Sequence, residues 1–594
     1  MNRDEFDIVI VGGGGAGLRT AIAAAEKAKA EGRQQRIALI SKIYPMRSHT
    51  VAAEGGAAAV TDEGDSYQAH FDDTVSGGDW LCDQGVVDYF VHNTYRELAQ
   101  LERWGCPWSR RPDGSIQVRR FGGMKTARTW FAADKSGFHM LHTLFQTSMQ
   151  YPEIERLDEY YVTDLAVENQ QVHGLIALCV ATGEMHVIGA KAVILATGGA
   201  GRLFRFNTNA GTVTGDGMAM AYRHGVALRD MEFVQYHPTG LPGSGVLITE
   251  ASRGEGGILL NKDGYRYLQD YGLGPETPLG EPKNKYMELG PRDKLSQAFW
   301  QEQQAGRTGK LGDSDVVYLD LRHLGKDYIL ERLPFICELA KAFVNVDPIK
   351  EPIPIRPAVH YTMGGIETNG QCETSIQGLY AAGECASVGL HGANRLGSNS
   401  LSELLVFGRL AGESASDLAS ERSAPSKAVL EQQAQQQLDL IHQLKQGDGS
   451  ENWVALRKEM VKAMESGCGI YREEAGMQAA LNTIRALRQR YKNVKLEDSS
   501  ESYNTDLLQC LEVGCSLDIA EASCLAALER RESRGAHQRL DEGLQKRDDV
   551  NFLKHSQVFY QGDANATITW QDVDVRFSAP AERVYGDAAK GAHS

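Results

Sequence analysis

The fold turns on EFDIVIVGGGGAGLRTAIAAAEKA, residues Glu5 to Ala28. Ile8 to Val11 is an unbroken apolar run of strand length, and Leu18 to Ala28 is filled with strong helix formers. Between them lies Gly12-Gly13-Gly14-Gly15-Ala16-Gly17, which contains the spacing G-x-G-x-x-G. At that spacing Gly12 permits a tight turn, Gly14 lets backbone approach a pyrophosphate, and Gly17 lets the helix pack on the strand. The new helix N-terminus adds free N–H groups and a dipole for phosphate. RIALISK, Arg36 to Lys42, reads as the next strand, so the chain opens β-α-β over a parallel sheet. An NAD-binding unit would place an acidic residue for the ribose at the end of that strand. Ser41 and Lys42 stand there instead, which weakens an NAD reading and leaves Ser41 a neutral hydrogen bond to offer.

Two later stretches have the same texture. KAVILATGGAG (191–201) and QGLYAAGECAS (377–387) each run from strand to glycine turn. A chain that returns to its dinucleotide after hundreds of residues suits FAD, which is long and stays bound. The three turns in this order point to an α/β fold built on a glutathione-reductase-like FAD-binding Rossmann domain. Residues 241–354 are richer in Tyr, Pro and Gly and read as an inserted α+β capping domain. After about Ala415 the texture becomes helical. Ala424 to Gln446 is polar and helical, Met477, Ala480, Leu481, Ile484, Leu487 and Tyr491 recur at helical steps, and Thr505 to Arg530 forms another helix. The expected division is therefore 1–240 with 355–415 (FAD-binding), 241–354 (capping, or lid), 416–540 (helical) and 541–594 (C-terminal segment).

At 594 residues the chain has room for several domains. Its net charge of -16 speaks against a nucleic-acid groove, which needs a basic face. The ten cysteines are scattered with no CxxC among them, so no metal or cluster ligation is expected, and a reducing compartment fits. The N-terminus has no secretory pattern. No apolar run of about 18 residues is present, so membrane association is expected only through a partner.

A second group of residues is cationic or hydrogen-bonding and sits beside Gly or Pro. It comprises QYHPTG (His237), ITEASRGEGG (Thr249, Glu250, Arg253), LGPRDK (Arg292), AVHYTMGG (His360) and LHGANRLGSNSLSE (Arg395). Two histidines and three arginines in such loops are what a dianionic substrate asks for, because guanidinium forks match carboxylates.

With RSHTVAAEGG, HPTGLPGSG, TEASRGEGG, HYTMGGIET and HGANRLGSNSL in place, the chain closely resembles the flavoprotein subunits of the succinate dehydrogenase/fumarate reductase family. The resemblance runs over nearly the whole chain, to ESRGAHQRLDEG and KRDDVNFLKH. GGDWLCDQ, WGCPWSRRPDG and RTWFAADKSGFHMLHTLFQ are similar to the quinol:fumarate reductase branch. The resemblance implies that His49 joins FAD covalently and that Gly12, Gly13, Gly14, Gly15, Ala16 and Gly17 hold the pyrophosphate. Ser41 and Lys42 would flank the adenosine, and Val162 the adenine side. Arg47 to Ala57, including Ser48, Thr50, Glu54, Gly55 and Gly56, would wrap the ring system. Asp216, Glu384, Ser400 and Leu401 would complete the site. It further implies that His237, Thr249, His360 and Arg395 take the substrate carboxylates, that Arg292 gives a proton, and that Glu250 and Arg253 feed it. Arg is a poor acid, yet a carbanion-like carbon is basic enough to take its proton. The implied partners are an iron–sulfur subunit, two membrane anchor subunits and a flavinylation assembly factor. The implied setting is the cytoplasmic face of the bacterial inner membrane, with quinol as electron source and fumarate and succinate as substrates.

Three other readings compete. A succinate dehydrogenase subunit shares nearly every one of these residues. Glu54 stands where dehydrogenases typically place Gln, and an anionic carboxylate beside the flavin would favour reduction of fumarate. L-aspartate oxidase holds FAD without a covalent bond, which the His49 motif disfavours. A flavin-binding assembly or sensor protein would not need the full set of His237, Arg253, Arg292, His360 and Arg395.

Overall fold

The computed structural model describes residues 2–273 and 287–583. Residues 274–286, within the segment read as capping domain, and 584–594, at the end of the C-terminal segment, lie outside the described residues.

Strand Asn2–Val11 and helix Gly15–Ala30 form as the opening motif predicts. The strand lies inside a seven-stranded sheet, between parallel neighbours Ile37–Ser41 and Met185–Leu195. Ile154–Asp158 extends the sheet beyond Ile37–Ser41, and Leu379–Ala381 adds to Met185–Leu195, both in parallel. On the other side the chain folds back antiparallel through Gln171–Cys179 and Tyr160–Glu168. The parallel strands end together, so the three glycine turns meet at one edge. That is where ligands of open α/β sheets sit. Helices Gly15–Ala30 and Asn399–Glu421 pack against one face, sharing an apolar cluster with Ile8, Ile10, Leu39, Ala192 and Ile194.

Residues from Leu241 to Ile355 contain a separate hydrophobic cluster that includes Leu259, Leu295, Phe299, Leu319, Ile329 and Ile353. The chain enters this region through strand Val234–Gly240 and leaves through its antiparallel partner Ile353–Thr362.

Two features differ from the sequence reading. The change in texture at 415 is not a break, because helix Asn399–Glu421 runs straight through it and only its exposed face turns polar. The following helix, Lys427–Gln446, lays Val429, Leu430 and Ala434 on the antiparallel part of the large sheet rather than on the later helices. Trp453–Gly467, Glu474–Tyr491 and Thr505–Glu529 do pack on one another, through residues such as Met464, Leu481, Ile484 and Leu517. The C-terminal segment is also more than a charged appendage. Its hairpin, Lys554–Phe559 with Thr567–Asp572, pairs with Leu228–Arg229 and completes a five-stranded sheet. The charges before it are buried and paired: Arg530 Nε meets Glu232 at 2.5 Å and Arg534 Nε meets Glu532 at 2.8 Å.

Candidate active site

The glycine turns line a groove that encloses about 1290 Å³ of empty space, part of it open to solvent. Its lining takes in all three glycine turns and extends to Lys42, Val162, His49 and His360, a spread that suits a ligand as long as a dinucleotide. Gly12, Gly13, Gly14, Gly15 and Ala16 form its floor. Gly12 has φ +117°, and a Cβ there would lie 2.1 Å from the carbonyl oxygen of Ala196, the second glycine turn. Gly17 does not reach the groove. A Cβ on it would strike the carbonyl oxygen of Gly12 at 1.8 Å, so its role is to let helix meet strand.

Ser41, Lys42, Ser48, His49, Thr50, Val162, Asp216, Glu384, Ser400 and Leu401 all line the groove. The missing acidic residue at Ser41–Lys42 has a structural counterpart. Lys42 Nζ reaches Asp216 Oδ2 at 2.8 Å, Glu512 Oε1 at 2.7 Å and Thr214 Oγ1 at 3.2 Å, which draws carboxylates to that end. Burial alone would lower the lysine pKa, but Asp216 and Glu512 outweigh it and raise it. The Ser48 hydroxyl is buried in the groove wall with no hydrogen-bond partner among the described residues, and the Thr197 hydroxyl has only the Cys385 thiol beside it. Unpaired buried hydroxyls cost free energy unless a ligand satisfies them. Glycine cradle, helix N-terminus, the orphan Ser48 hydroxyl and the spread of the lining together fit FAD.

Glu54, Gly55 and Gly56 are not among the residues that line the groove. Gly55 packs on the Phe121 ring, Gly56 lies against Trp130 and Thr129, and Glu54 is buried with Oε2 unpartnered. Burial first, then Asp134, push the Glu54 carboxyl well above its ordinary range.

His49 sits in the groove wall on a short 3-10 turn among small residues. Burial pushes its pKa down to about 4, so the imidazole is neutral. The Asn209 amide lies 3.4 Å from Nε2, and the Ala210 N–H donates to Nδ1 at 3.4 Å.

At the His360 end the groove meets the cationic residues. Strands Val234–Gly240 and Ile353–Thr362 slip by one residue between Gln235 and Tyr236, and the unmatched residue is His360. A bulge of this kind re-aims a side chain, and the His360 ring lies 5.0 Å from the His237 ring. Burial first, then Arg292, hold both imidazoles well below their ordinary range, so both are neutral. Arg292 opens helix Arg292–Gln304; its Nε donates to Glu250 Oε2 at 2.8 Å and its Nη1 to Gln235 Oε1 at 3.0 Å. Arg253 Nη2 is 3.6 Å from Glu250 Oε2, and Arg253 Nη1 donates to the Glu288 carbonyl. Arg395 lies over the Tyr361 ring at 4.4 Å, donates to Ser400 Oγ at 2.8 Å, and leaves Nε unpartnered. Thr249 is buried one residue before Glu250. Arg253 and Arg292 thus share the Glu250 carboxylate, and Arg395 is tied to Arg292 through the Gln235 side chain. Two positive charges are left over beside two neutral histidines, which is a receptor for a dianion.

Gln235 and Tyr361 take part in this cluster, and sequence reasoning did not single them out. Both lie inside quoted motifs, so the signal was adjacency to His237 and His360.

A family model described as FAD binding domain matches residues 7–401, and one described as fumarate reductase flavoprotein C-term matches 457–585. The chain is 63% identical to the fumarate reductase flavoprotein subunit of Serratia sp., over 99% of this chain and 98% of the relative. It is 62% identical to that of Escherichia coli, over 100% and 98%. It is 40% identical to the succinate dehydrogenase flavoprotein subunit of Rickettsia bellii, over 98% of each. A solved structure, "Quinol-Fumarate Reductase with Menaquinol Molecules", contains a chain that matches at TM-score 0.95 and 62% identity, over 98% of this chain and 100% of that one. The chain belongs to the family of fumarate reductase flavoprotein subunits and is an FAD-binding oxidoreductase subunit.

Proposed function

We propose that this chain is the catalytic subunit of a membrane-bound quinol:fumarate reductase and adds hydride and a proton across the double bond of fumarate to give succinate. The single observation that carries this reading is the cluster in which Arg253 and Arg292 share Glu250 and Arg395 joins Arg292 through Gln235, beside the His360 end of the groove. Bound FAD in its reduced form supplies the hydride.

The chain's residues do the rest. His237, Thr249, His360 and Arg395 hold the two carboxylates, and the surplus positive charge stabilises negative charge that develops on the substrate. Arg292 gives a proton to the second alkene carbon. Glu250 Oε2 engages its Nε and Nη2, and Gln235 engages Nη1, so each Nη keeps a second N–H free to face the substrate. Glu250, with Arg253 beside it, passes the replacement proton. Burial would raise the Glu250 pKa, but Arg292 and Arg253 outweigh it and lower it, so Glu250 rests as the carboxylate that receives a proton. Succinate oxidation runs over the same residues in reverse.

His49 is the proposed covalent attachment point, supported by its neutral imidazole in the groove wall. Residues 241–354 are the proposed lid. Glu250 accepts from the Gly122 N–H, and the Phe335 N–H donates to Asp134 at 3.0 Å, so the segment touches the FAD-binding part at two points. Closure excludes water from the substrate. The partners are an iron–sulfur subunit that delivers electrons from quinol, two membrane anchors and a flavinylation assembly factor, at the cytoplasmic face of the inner membrane. Among the described residues no helix is long and apolar enough to cross a membrane, so attachment runs through those anchors.

The test is to add fumarate to the reduced, assembled complex and follow flavin reoxidation together with succinate formed. One succinate per flavin supports the reading; reoxidation that requires oxygen and yields no succinate removes it.

A further inference from the structure

We propose that Gln235 is a positioning residue that fixes the separation of the Arg292 and Arg395 guanidiniums while leaving their charge intact. The proposal rests on the function proposed above. Gln235 is fully buried in strand Val234–Gly240, directly before the slip at which His360 bulges out. Its Oε1 accepts from Arg292 Nη1 at 3.0 Å and from Arg395 Nη2 at 3.2 Å. Its Nε2 donates to Asn394 Oδ1 at 2.9 Å and to the Arg395 carbonyl at 2.8 Å. The amide orientation is therefore forced: guanidiniums cannot accept and carbonyls cannot donate. Asn394 is held in turn by the Gly77 carbonyl, to which its Nδ2 donates at 3.2 Å.

One neutral oxygen thus joins the proposed proton donor, carried by the segment read as the lid, to the proposed carboxylate ligand, carried by the FAD-binding part. Two like charges brought this close repel, and an acceptor between them offsets the repulsion. A carboxylate would do so more strongly, but it would also cancel one of the two surplus positive charges that a dianionic substrate needs. An apolar side chain would keep the charges and lose the spacing. An amide satisfies both requirements.

The test uses the assembled, flavin-loaded complex with Gln235→Glu, Gln235→Leu and Gln235→Asn. Fumarate kinetics are measured, and malonate serves as an unreactive dianion read by the flavin absorbance change. Gln235→Glu, which is isosteric, is expected to raise the malonate Kd and the fumarate KM at least about tenfold. Gln235→Leu is expected to lower kcat about 10- to 100-fold, the weight of lost hydrogen bonds to charged groups, with the malonate Kd within about threefold of wild type. Gln235→Asn, neutral but too short to span both arginines, should follow the Leu variant more weakly. The proposal is overturned if Gln235→Glu binds malonate and turns over like wild type. It is equally overturned if the Glu and Leu variants lose kcat and malonate affinity in the same proportion, or if all three variants lose their flavin, since each marks a packing role alone. A wild-type complex that binds malonate but yields no succinate defeats the proposed function instead, while the malonate comparison still decides the role of Gln235.

Discussion

Arg292 and Glu250 meet on a single oxygen: Arg292 Nε lies 2.8 Å and Nη2 2.7 Å from Glu250 Oε2. The second oxygen, Oε1, accepts from the Gly122 N–H. The carboxylate is thus pinned between Arg292 and the Gly122 backbone, with Arg253 Nη2 3.6 Å from Oε2. Glu250→Gln keeps the shape and removes the ability to carry a proton. Positioned acid–base groups contribute ~10²–10⁴-fold, so fumarate turnover should fall by about that factor while flavin content holds. A kcat within threefold of wild type would take Glu250 out of the proton path.

His49→Ser should leave FAD bound through the groove and remove the covalent link. After denaturation and electrophoresis the wild-type band should fluoresce under acid and the variant band should not. Succinate oxidation by the variant should drop more than fumarate reduction. A fluorescent variant band would place the attachment elsewhere.

Gly17→Ala places a methyl 1.8 Å from the Gly12 carbonyl oxygen, a backbone atom that cannot yield without moving the turn. The expected outcome is chain without the 450 nm flavin band. Gly32→Ala, whose Cβ meets nothing within 4 Å, is the control for the general effect of the extra methyl, although its φ of +68° adds a small strain. Equal flavin content in the two variants would contradict the packing role assigned to Gly17.

His555 provides a pH signature in the C-terminal hairpin. Its Nδ1 lies 2.6 Å from Asp230 and its Nε2 3.2 Å from Asp83. Burial and Arg229 push its pKa down, but Asp230 and Asp83 prevail and raise it from 6.5 to about 9. A folded pKa above the unfolded one stabilises fully below pH 6.5, and the contribution is lost as pH rises through 9. A shift of this size corresponds to about 3 kcal/mol. His555→Gln should therefore lower Tm strongly at pH 6 and much less at pH 9.5. An equal loss at both pH values would show that the ion pairs contribute nothing.

The sequence disclosed most of the groove, because glycine turns and helix starts are local and each leaves a trace in adjacent residues. The cationic loops were legible for the same reason: His237, Arg253, Arg292, His360 and Arg395 each sit in a short motif. What stayed hidden depends on distant pairings. Glu512 reaches Lys42 across 470 positions, and Val558 pairs with Leu228 with no local hint of either. Gln235 looks like an ordinary strand residue until two arginines from opposite ends of the site close on it. The surroundings of Glu54 were hidden in the same way: burial and the distant Asp134 push its carboxyl above the ordinary carboxylate range.

The central claim is that Arg292 gives the proton. Its most direct test is stopped-flow reoxidation of the reduced complex by fumarate, comparing wild type with Arg292→Gln at matched flavin content and at saturating fumarate. The account predicts that reoxidation by fumarate slows by about a thousandfold or more in the variant. Reoxidation within tenfold of the wild-type rate would contradict it.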